Sequence, residues 1–252
     1  MSLQTKQQQP NIKESTLVIP SISIGNVPQL AVDLLIHTFK LQKIGTLEDK
    51  YLFPFASPID TTDAVTQKGV SCGLEVFYDA TKHITIIQQR SPIISGFTKA
   101  FVDESILPFI SEYKFAKILV LDSADAGQQE DQIAGSVNLL TKEDLLDRQF
   151  LTLLLEQQLL FLGSSGHCDP SFTNRLLNSL HHNADLFSNA DICVLLSLAY
   201  EGDNFGDGER LASKVVEVLK LGIVDHWARP RSWLGVYGNL AVPSAMEEGV
   251  FA

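Results

Sequence analysis

The sequence lacks an excess of basic residues and lacks long apolar runs. Its 252 residues include 19 lysines and arginines against 30 aspartates and glutamates, which gives a formal net charge of −11 at pH 7. Nucleic acids and anionic membrane surfaces attract basic proteins, so this balance argues against either of them as the main partner. No apolar run approaches the roughly 20 residues that span a bilayer. We therefore expect a soluble protein that binds neither nucleic acid nor membrane.

Cysteine is also scarce. Cys72, Cys168 and Cys193 lie far apart in the sequence, so they lack the paired spacing of a zinc site, and we expect all three in the core. The chain contains no Asn-x-Ser/Thr sequon, and residues 1–20 carry no secretory signal. These absences fit a reducing intracellular compartment, and we expect a cytoplasmic protein.

The chain is organised around residues 16–39, which predict a strand, a tight loop and a helix. The apolar run at residues 17–19 is mostly β-branched and predicts a buried strand, which Pro20 limits. Gly25 is free to adopt a positive φ and Asn26 is a favourable N-cap, so a helix is expected to begin directly after them. Apolar residues then recur at three- and four-residue steps, which predicts that one helix face is buried.

The Gly25-Asn26 loop invites a second interpretation, because backbone N–H groups at a helix N-terminus can hold an anion. Gly25 stands alone, however, without the further glycines of a dinucleotide fingerprint or the Lys-Ser/Thr pair of a phosphate loop. We therefore favour a structural turn. The alternative is a hydrolase-like or nucleoside-phosphorylase-like α/β enzyme with an anion site at this loop and His167 or Cys168 as its chemistry, which would need a closed polar pocket.

Strands that alternate with helical segments predict the fold class. Strands are expected at residues 51–55, 73–78, 83–89 and 117–122. The second and third of these are separated by a short turn and should form a hairpin. Apolar spacing at residues 94–106 predicts a helix, which Pro108 kinks or ends. The pattern predicts a single three-layer α/β domain with a mixed central β-sheet flanked by helices.

The second half of the chain is expected to be mainly helical. Helices are predicted at residues 169–182, 191–200 and 209–221, and Gly222 is expected to end the last of them. The leucine-rich run at residues 151–162 fits either a helix or a buried strand, because periodicity does not separate the two in a short run.

The ends of the chain are expected to lie outside the fold. Residues 1–15 are polar and rich in glutamine, with little to bury, so they predict a flexible extension. The α/β domain is then expected to occupy residues 16–240, and residues 241–252 to form a flexible C-terminal tail.

The motifs contain no catalytic or metal-binding constellation. The run at residues 163–167 lacks the final glycine of the Gly-x-Ser-x-Gly nucleophile elbow. The run that begins at Asp203 resembles the start of a calcium loop, but Phe205 replaces an oxygen ligand. His181 and His182 are neighbours that point to different faces of a helix. We therefore expect no catalytic residue, no metal and no cofactor.

Five sequence blocks carry a resemblance to a known family. The first block, SIGNVPQLAVDLLI at residues 23–36, is the most specific, and it contains Gly25, Asn26, Gln29, Leu30 and Asp33. The other blocks follow in order: LEVFY at 74–78, QQRSP at 88–92, EGDN at 201–204 and RPRSW at 229–233. These blocks resemble those of the proteasome assembly chaperone 2 family, and the resemblance spans most of the chain, apart from residues 139–168 and the glutamine-rich start.

The resemblance implies a noncatalytic α/β chaperone that needs neither cofactor nor nucleotide. Such a chaperone forms a heterodimer with proteasome assembly chaperone 1, binds the outer face of the proteasome α-ring and promotes assembly of the 20S core particle, in the cytoplasm and also in the nucleus. The expected partners are therefore proteasome assembly chaperone 1 and proteasome α subunits. The residues singled out in the first block are expected to be mainly structural. Two candidate partner-facing surfaces remain, one at Glu201, Asp203 and Asn204 and one at Arg231 and Trp233.

The resemblance also implies a role for the C-terminus, where family members carry a hydrophobic-Tyr-any tripeptide that inserts between neighbouring α subunits. Here the tripeptide is Val250-Phe251-Ala252. The ring of Phe251 can fill the same slot but lacks the tyrosine hydroxyl. Burial of one apolar side chain contributes roughly 1.5–3 kcal/mol, and ordering each tail residue costs about 1–2 kcal/mol. The tail alone should bind weakly and gain affinity from being linked to a folded surface.

A third function class also stays open at this stage, namely a general interaction scaffold unrelated to proteasomes. The proteins that co-purify with the chain from cell extract would separate the chaperone, the enzyme and the scaffold.

Overall fold

The protein was analysed as a computed structural model, which describes residues 10–62, 68–128, 134–141, 171–183 and 190–234. The strands are β1 (Thr16–Pro20), β2 (Gln42–Thr46), β3 (Ala56–Pro58), β4 (Val70–Cys72), β5 (Leu74–Asp79), β6 (Ile84–Gln89), β7 (Lys117–Asp125), β8 (Val137–Leu140) and β9 (Asp191–Ala199). The helices are α1 (Val27–Thr38), α2 (Thr98–Ala100), α3 (Leu107–Tyr113), α4 (Phe172–His182) and α5 (Phe205–Leu219).

Seven of the strands form one mixed sheet, in the order β2-β5-β6-β1-β7-β9-β8. At its centre β1 runs parallel to both β6 and β7, and β7 runs parallel to β9. The outer strands β2, β5 and β8 run antiparallel to their neighbours, and β5 and β6 form the predicted hairpin. The short strands β3 and β4 pair separately, in an antiparallel two-stranded sheet.

Each face of the sheet is covered by helices, so the domain has three layers. Successive residues of β1 alternate between two apolar cores, with Val18 on the side of α1 and α5 and with Leu17 and Ile19 on the side of α2, α3 and α4. This alternation is what a central strand with both faces buried requires. The predicted fold class, a three-layer α/β domain with a mixed sheet, is confirmed.

The helix predicted at residues 191–200 is wrong, because this segment is the strand β9. Its residues are almost all buried, and it lies between β7 and β8 with apolar cores on both faces. The sequence of a strand that is covered on both faces is a continuous apolar run. It lacks the alternation of apolar and polar residues that identifies a strand with one exposed face. The expectation of a mainly helical second half is corrected accordingly.

The strand predicted at residues 51–55 is also wrong. Only Leu52 makes a β-bridge, with Ile93, and Pro54 cannot donate to a ladder. The edge strand is instead β2, which the sequence analysis did not predict. Its Gln-Lys-Ile-Gly-Thr sequence is half polar, and the ladder has an irregularity between Lys43 and Gly45. These properties weaken the apolar alternation by which a strand is recognised.

The predicted helices after residue 90 are shifted in their boundaries. The helix that precedes Pro108 begins at Thr98, and a π-helical turn, Phe101–Ile106, comes before the proline. Pro108 has no N–H to donate, and a π turn is one way in which a helix accommodates such an interruption. Ser171 caps α4, accepting from the Asn174 N–H at 3.2 Å, whereas the predicted start at residues 169–170 lies outside the described residues.

The fold also begins before the predicted boundary at residue 16. Ile12 is fully buried in the core on the side of α3, and the Ser15 hydroxyl lies 2.8 Å from the Thr85 hydroxyl. A single isoleucine in a polar stretch gives little pattern in the sequence, but its burial holds residues 12–15 against the domain. This part of the predicted extension is therefore corrected, and residues 1–9 lie outside the described part of the chain. The helix α5 likewise begins four residues before the predicted one and ends at Leu219, with Lys220 in the left-handed conformation.

Candidate interaction surface

The loop between β1 and α1 lies at the carboxyl ends of the parallel strands and touches the start of α5. Gly25 and Asn26 both have positive φ, 63° and 50°. A Cβ atom on Gly25 would lie 2.4 Å from Oδ1 of Asn204, so both the backbone conformation and the close approach require glycine. Asn26 occupies the N-cap position of α1, but its side chain makes no capping hydrogen bond.

Two serines fasten this loop to the end of β7. The hydroxyls of Ser23 and Ser123 lie 2.8 Å apart, and the Ser123 hydroxyl donates to the Ile24 carbonyl at 2.7 Å. Asn204 covers Gly25 from the other side. These contacts fill the space next to Gly25, so the loop geometry gives no support to the anion site of the enzymatic alternative.

Asp122, beside Ser123, is a buried carboxyl under the same loop. Burial raises its pKa above the ordinary value for aspartate, although a hydrogen bond from the Ser123 N–H, at 2.8 Å, opposes this shift. The carboxyl is only 2 % exposed, so it is held inside the domain and does not face a ligand.

The first and third sequence blocks meet through a buried ion pair. Asp33 on α1 is 3 % exposed and receives two hydrogen bonds from Arg90, at 2.7 and 2.8 Å. The Gln88 amide donates to the same carboxylate at 2.7 Å. Gln29, one turn earlier on α1, donates to the Ser21 carbonyl at 3.0 Å. These bonds fix α1 against the ends of β1 and β6.

Leu30, the remaining residue singled out in the first block, lies where α1 crosses α5. A Cβ atom on Gly208 of α5 would approach the Leu30 Cβ to 2.7 Å, so glycine allows the two helices to touch. Each of the five residues singled out in this block therefore lies at an internal contact or in a constrained loop.

The fourth block, EGDN, forms the turn between β9 and α5. The Asn204 amide donates to the Tyr200 carbonyl at 2.8 Å and to the Asp207 carboxylate at 3.1 Å, and its side chain is buried. Glu201 and Asp203 are exposed on the same turn. The turn thus presents two carboxylates outward while Asn204 closes the loop at Gly25.

The fifth block, RPRSW, lies beside this turn. The Trp233 ring stacks on the Phe205 ring at 4.6 Å between centroids, with the planes 9° apart. Phe205 directly follows Asn204. The two candidate surfaces, between which the sequence could not decide, are therefore adjacent in the fold. The sequence analysis considered Phe205 only as the residue that replaces an oxygen ligand in a calcium-loop pattern. No local sequence signal pairs it with Trp233, which lies far along the chain. Arg231 is exposed at the same place.

We call residues 228–234 the strap, because they cross the surface from α1 to α5. The strap contains the short helical turn Arg231–Leu234, the last residues that the structure describes. The predicted tail residues Val250, Phe251 and Ala252 lie outside the described residues.

Two cavities border α5, and charged side chains line both. One of about 230 Å³ lies against the EGDN turn and Arg210, and one of about 550 Å³ is bounded by Glu209, Lys214 and Trp227. The charges are compensated by neighbours, since Lys214 pairs with Glu217 at 2.8 Å and Arg210 pairs with Asp207. Such compensated, solvent-facing walls are typical of a polar protein surface.

The described residues contain no group of three His, Cys, Asp or Glu side chains placed to hold a metal ion. Cys193 is buried, as predicted, and burial raises the pKa of its thiol to about 11, so it is protonated at neutral pH. Cys72 is half-buried, and His167 and Cys168 lie outside the described residues. Within the described ranges, no helix combines the length and apolar character needed to cross a bilayer.

Comparison with known proteins places these observations in a family. The chain is 29% identical over 260 residues to Proteasome assembly chaperone 2 of Saccharomyces cerevisiae, covering 89% of this chain and 95% of that protein. It is 26% identical over 260 residues to the human protein of that name, covering 93% of this chain and 96% of the human protein.

Solved structures with the same fold include two archaeal proteins of Pyrococcus furiosus. PbaA, described as an archaeal homolog of proteasome-assembly chaperone, superposes with a TM-score of 0.59 at 14% identity over 86% of each chain. PbaB, described as an archaeal proteasome activator, superposes with a TM-score of 0.55 at 18% identity, over 86% of this chain and 88% of PbaB. The profile of the PAC2 family matches residues 17–219, from the first strand of the sheet to the end of α5. The chain belongs to the PAC2 family.

Proposed function

We propose that this protein is a proteasome assembly chaperone. It binds the outer face of the proteasome α-ring as a heterodimer with proteasome assembly chaperone 1 and promotes assembly of the 20S core particle in the cytoplasm and nucleus. The observation that carries the proposal is the similarity to proteins named Proteasome assembly chaperone 2 along 95–96% of their length, and the PAC2 family match over residues 17–219 agrees with it.

The proposed role is noncatalytic and requires no cofactor. Its support lies in the carboxyl edge of the parallel strands, where α/β enzymes usually bind their ligands. In this chain the part of the edge beside Gly25 is occupied by the Asn204 side chain and by Ser23 and Ser123, whose hydroxyls bond to each other. A phosphate or nucleoside that raised the melting temperature of the chain would instead support the enzymatic alternative.

Docking is proposed to use a folded surface and the tail together. The folded surface comprises Glu201, Asp203, Arg231 and Trp233, which the Phe205–Trp233 stack brings to one place. The described chain ends at this place with Leu234, and the proposed tail follows at residues 241–252. An extended chain over residues 235–250 spans at most roughly 53–58 Å. Val250 and Phe251 are therefore able to reach an inter-subunit pocket beside the docked domain.

The test is truncation of Val250–Ala252 in the heterodimer, followed by measurement of binding to immobilised 20S core particles. We expect binding to weaken by at least tenfold, because linked sites lose avidity when one is removed. Phe251→Tyr is the matched control and should bind as tightly as the unchanged chain or more tightly. Equal affinity of the truncated and full-length chains would refute the tail docking.

The heterodimer is tested separately from the tail. Co-expression with proteasome assembly chaperone 1 should give a one-to-one complex by light scattering, and the truncated chain should form it equally well. A monodisperse monomer that does not bind proteasome assembly chaperone 1 would contradict the heterodimer. A fluorescent fusion of the full chain tests the proposed cytoplasmic and nuclear localisation.

A further inference from the structure

We propose that the strap is a positioning element, which fixes the point on the domain from which the tail begins. Four side chains outside the strap hold it: Thr38 at the end of α1, Asp60 in the loop after β3, and Phe205 and Glu209 on α5. The inference rests on the proposed function, because it assigns these anchors to the placement of the docking tail.

The first anchor lies at the start of the strap. The Ala228 N–H donates to the Thr38 hydroxyl at 3.0 Å, at the end of α1. The Arg229 guanidinium then donates twice to one oxygen of Glu209, at 2.7 and 3.0 Å. The chain is thereby tied to both helices that cover this face of the sheet before the buried Pro230 is reached.

The second anchor is Asp60, which receives two hydrogen bonds from Ser232. The Ser232 N–H donates to one carboxylate oxygen at 3.2 Å, and the Ser232 hydroxyl donates to the other. Next to it, the Arg231 N–H donates to the Thr61 carbonyl at 2.9 Å. Asp60 and Thr61 therefore hold consecutive residues of the strap, Arg231 by its backbone N–H and Ser232 by both its N–H and its hydroxyl.

The third anchor is the stack of Trp233 on Phe205. This stack lies one residue before the last described residue, Leu234. The described part of the chain therefore ends within one residue of a fixed ring, and the proposed tail, residues 241–252, follows it in the sequence.

The exposure of the anchors indicates that they position the strap and contribute little to the stability of the core. Arg229 is half exposed, with 54% of its side-chain surface accessible, and Ser232 is exposed, so most anchors are surface hydrogen bonds. Such bonds contribute little to the stability of a domain. They do restrict where one chain segment lies, and this segment precedes the tail in the sequence. A shorter tether raises the effective concentration of a linked binding group.

The first experiment uses trypsin, which cleaves after Arg231 but not between Arg229 and Pro230. The sequence contains no lysine or arginine after Arg231, so this cut releases the single peptide Ser232–Ala252, which mass spectrometry quantifies. Asp60→Ala should accelerate its release roughly tenfold, because cleavage follows the opening equilibrium that the lost charge-assisted bonds had restrained. The exposed residue Asp225 gives the matched control, Asp225→Ala, with an unchanged rate. An unchanged rate in Asp60→Ala overturns the proposed anchoring.

The second experiment is a double-mutant cycle on binding to 20S core particles. A released-strap variant carries Asp60→Ala, Phe205→Ala and Glu209→Ala, which leave every strap residue in place, and circular dichroism verifies its fold. With the tail present, its Kd should rise by up to about twofold, as expected for a tether that begins after Ala228, which its bond to Thr38 still holds. With Val250–Ala252 removed, the same substitutions should leave the residual Kd unchanged.

The outcomes of the cycle separate the two proposals. An equal loss of affinity with and without the tail would overturn positioning, because the anchors would then act as a docking surface or through the fold. A truncation that has no effect refutes the tail docking itself, whatever the trypsin result. Asp60→Ala alone serves in place of the released-strap variant if that variant does not fold.

Discussion

The family blocks lie in two regions of the molecule that use polar side chains in opposite ways. Around α1, Asp33, Gln88 and Arg90 form a network in which the carboxylate is withdrawn from water and bonded on both sides. In the strap, Arg229 and Ser232 form their hydrogen bonds at the surface. A buried polar group is costly to leave unpaired, whereas an exposed one returns to water. The first region should therefore govern stability, and the second the placement of the chain.

Arg90→Ala should produce the largest effect. It leaves the Asp33 carboxylate buried without its cation, and we expect a loss of about 3 kcal/mol in the free energy of unfolding. Urea denaturation followed by circular dichroism measures this loss. Lys214→Ala is the matched control, because it breaks the exposed pair with Glu217 and should cost at most about 1 kcal/mol. Similar losses in the two variants would remove the proposed contrast between buried and exposed pairs.

Gly25→Ala should have the next largest effect, about 2–4 kcal/mol. The new Cβ combines a left-handed backbone conformation with a collision against Asn204. Gly96→Ala separates the two causes, because Gly96 has a φ of 84° and open space around it. It should cost only the backbone part, about 1–2 kcal/mol. Equal losses would show that the contact with Asn204 contributes nothing, and urea denaturation again provides the comparison.

Asp122→Asn should make stability less sensitive to pH. Because burial raises the pKa of Asp122, its contribution is fully present below the pKa of the unfolded chain and is lost as pH rises through the folded pKa. The asparagine variant should therefore gain in melting temperature, relative to the unchanged chain, as pH rises from below the pKa of the unfolded aspartate to neutral pH. A constant difference over this range would show that Asp122 does not titrate there.

Asp103 should show the opposite pH dependence when its stability contribution is measured in the same way. Burial tends to raise the pKa of Asp103, but hydrogen bonds from Lys99 and Arg175 outweigh it and lower the pKa. Its stabilising contribution is present above the pKa of the unfolded chain and is lost as pH falls through the folded pKa. Asp103→Asn should therefore lose stability relative to the unchanged chain at neutral pH, and this deficit should shrink under acidic conditions.

Trp233→Ala should have the smallest effect on stability. Loss of the stack on Phe205 is expected to cost about 0.5–1.5 kcal/mol, and Trp233→Phe should restore most of it. Release of the peptide Ser232–Ala252 by trypsin should nevertheless accelerate in Trp233→Ala. A destabilisation as large as that of Arg90→Ala would mean that the strap belongs to the core, and the distinction between the two regions would fail.

The sequence analysis succeeded where short-range patterns decide the structure. The β-branched run before Gly25, the turn between β5 and β6, and the apolar face of α1 are each visible within a dozen residues. The same analysis predicted a helix at β9, because a strand covered on both faces has no alternation to display. It also missed β2, whose polar residues and irregular ladder suit a sheet edge.

The candidate surface was predicted in parts and assembled only in space. Glu201, Asp203, Asn204, Arg231 and Trp233 were singled out as two separate possibilities. Asn204 is buried and so does not face a partner, and the ring of Phe205 joins the other residues. Asp60 was not singled out, since an aspartate in a loop carries no sequence signal of the strap that it holds. Contacts between residues far apart along the chain depend on the packing of whole elements, which local periodicity does not encode.

What the sequence determined by itself is therefore the family, the α/β class, and the strand-loop-helix unit at Gly25, because these depend on residue types and spacings within one segment. What only the tertiary structure decided is that β9 is a strand, that Ile12 belongs to the core, and that Asn204 is the reason why residue 25 has no side chain. Burial is the physical cause in each case. Whether a residue is covered on one face, on both, or by a distant side chain depends on its neighbours in space, and these are set when the layers pack together.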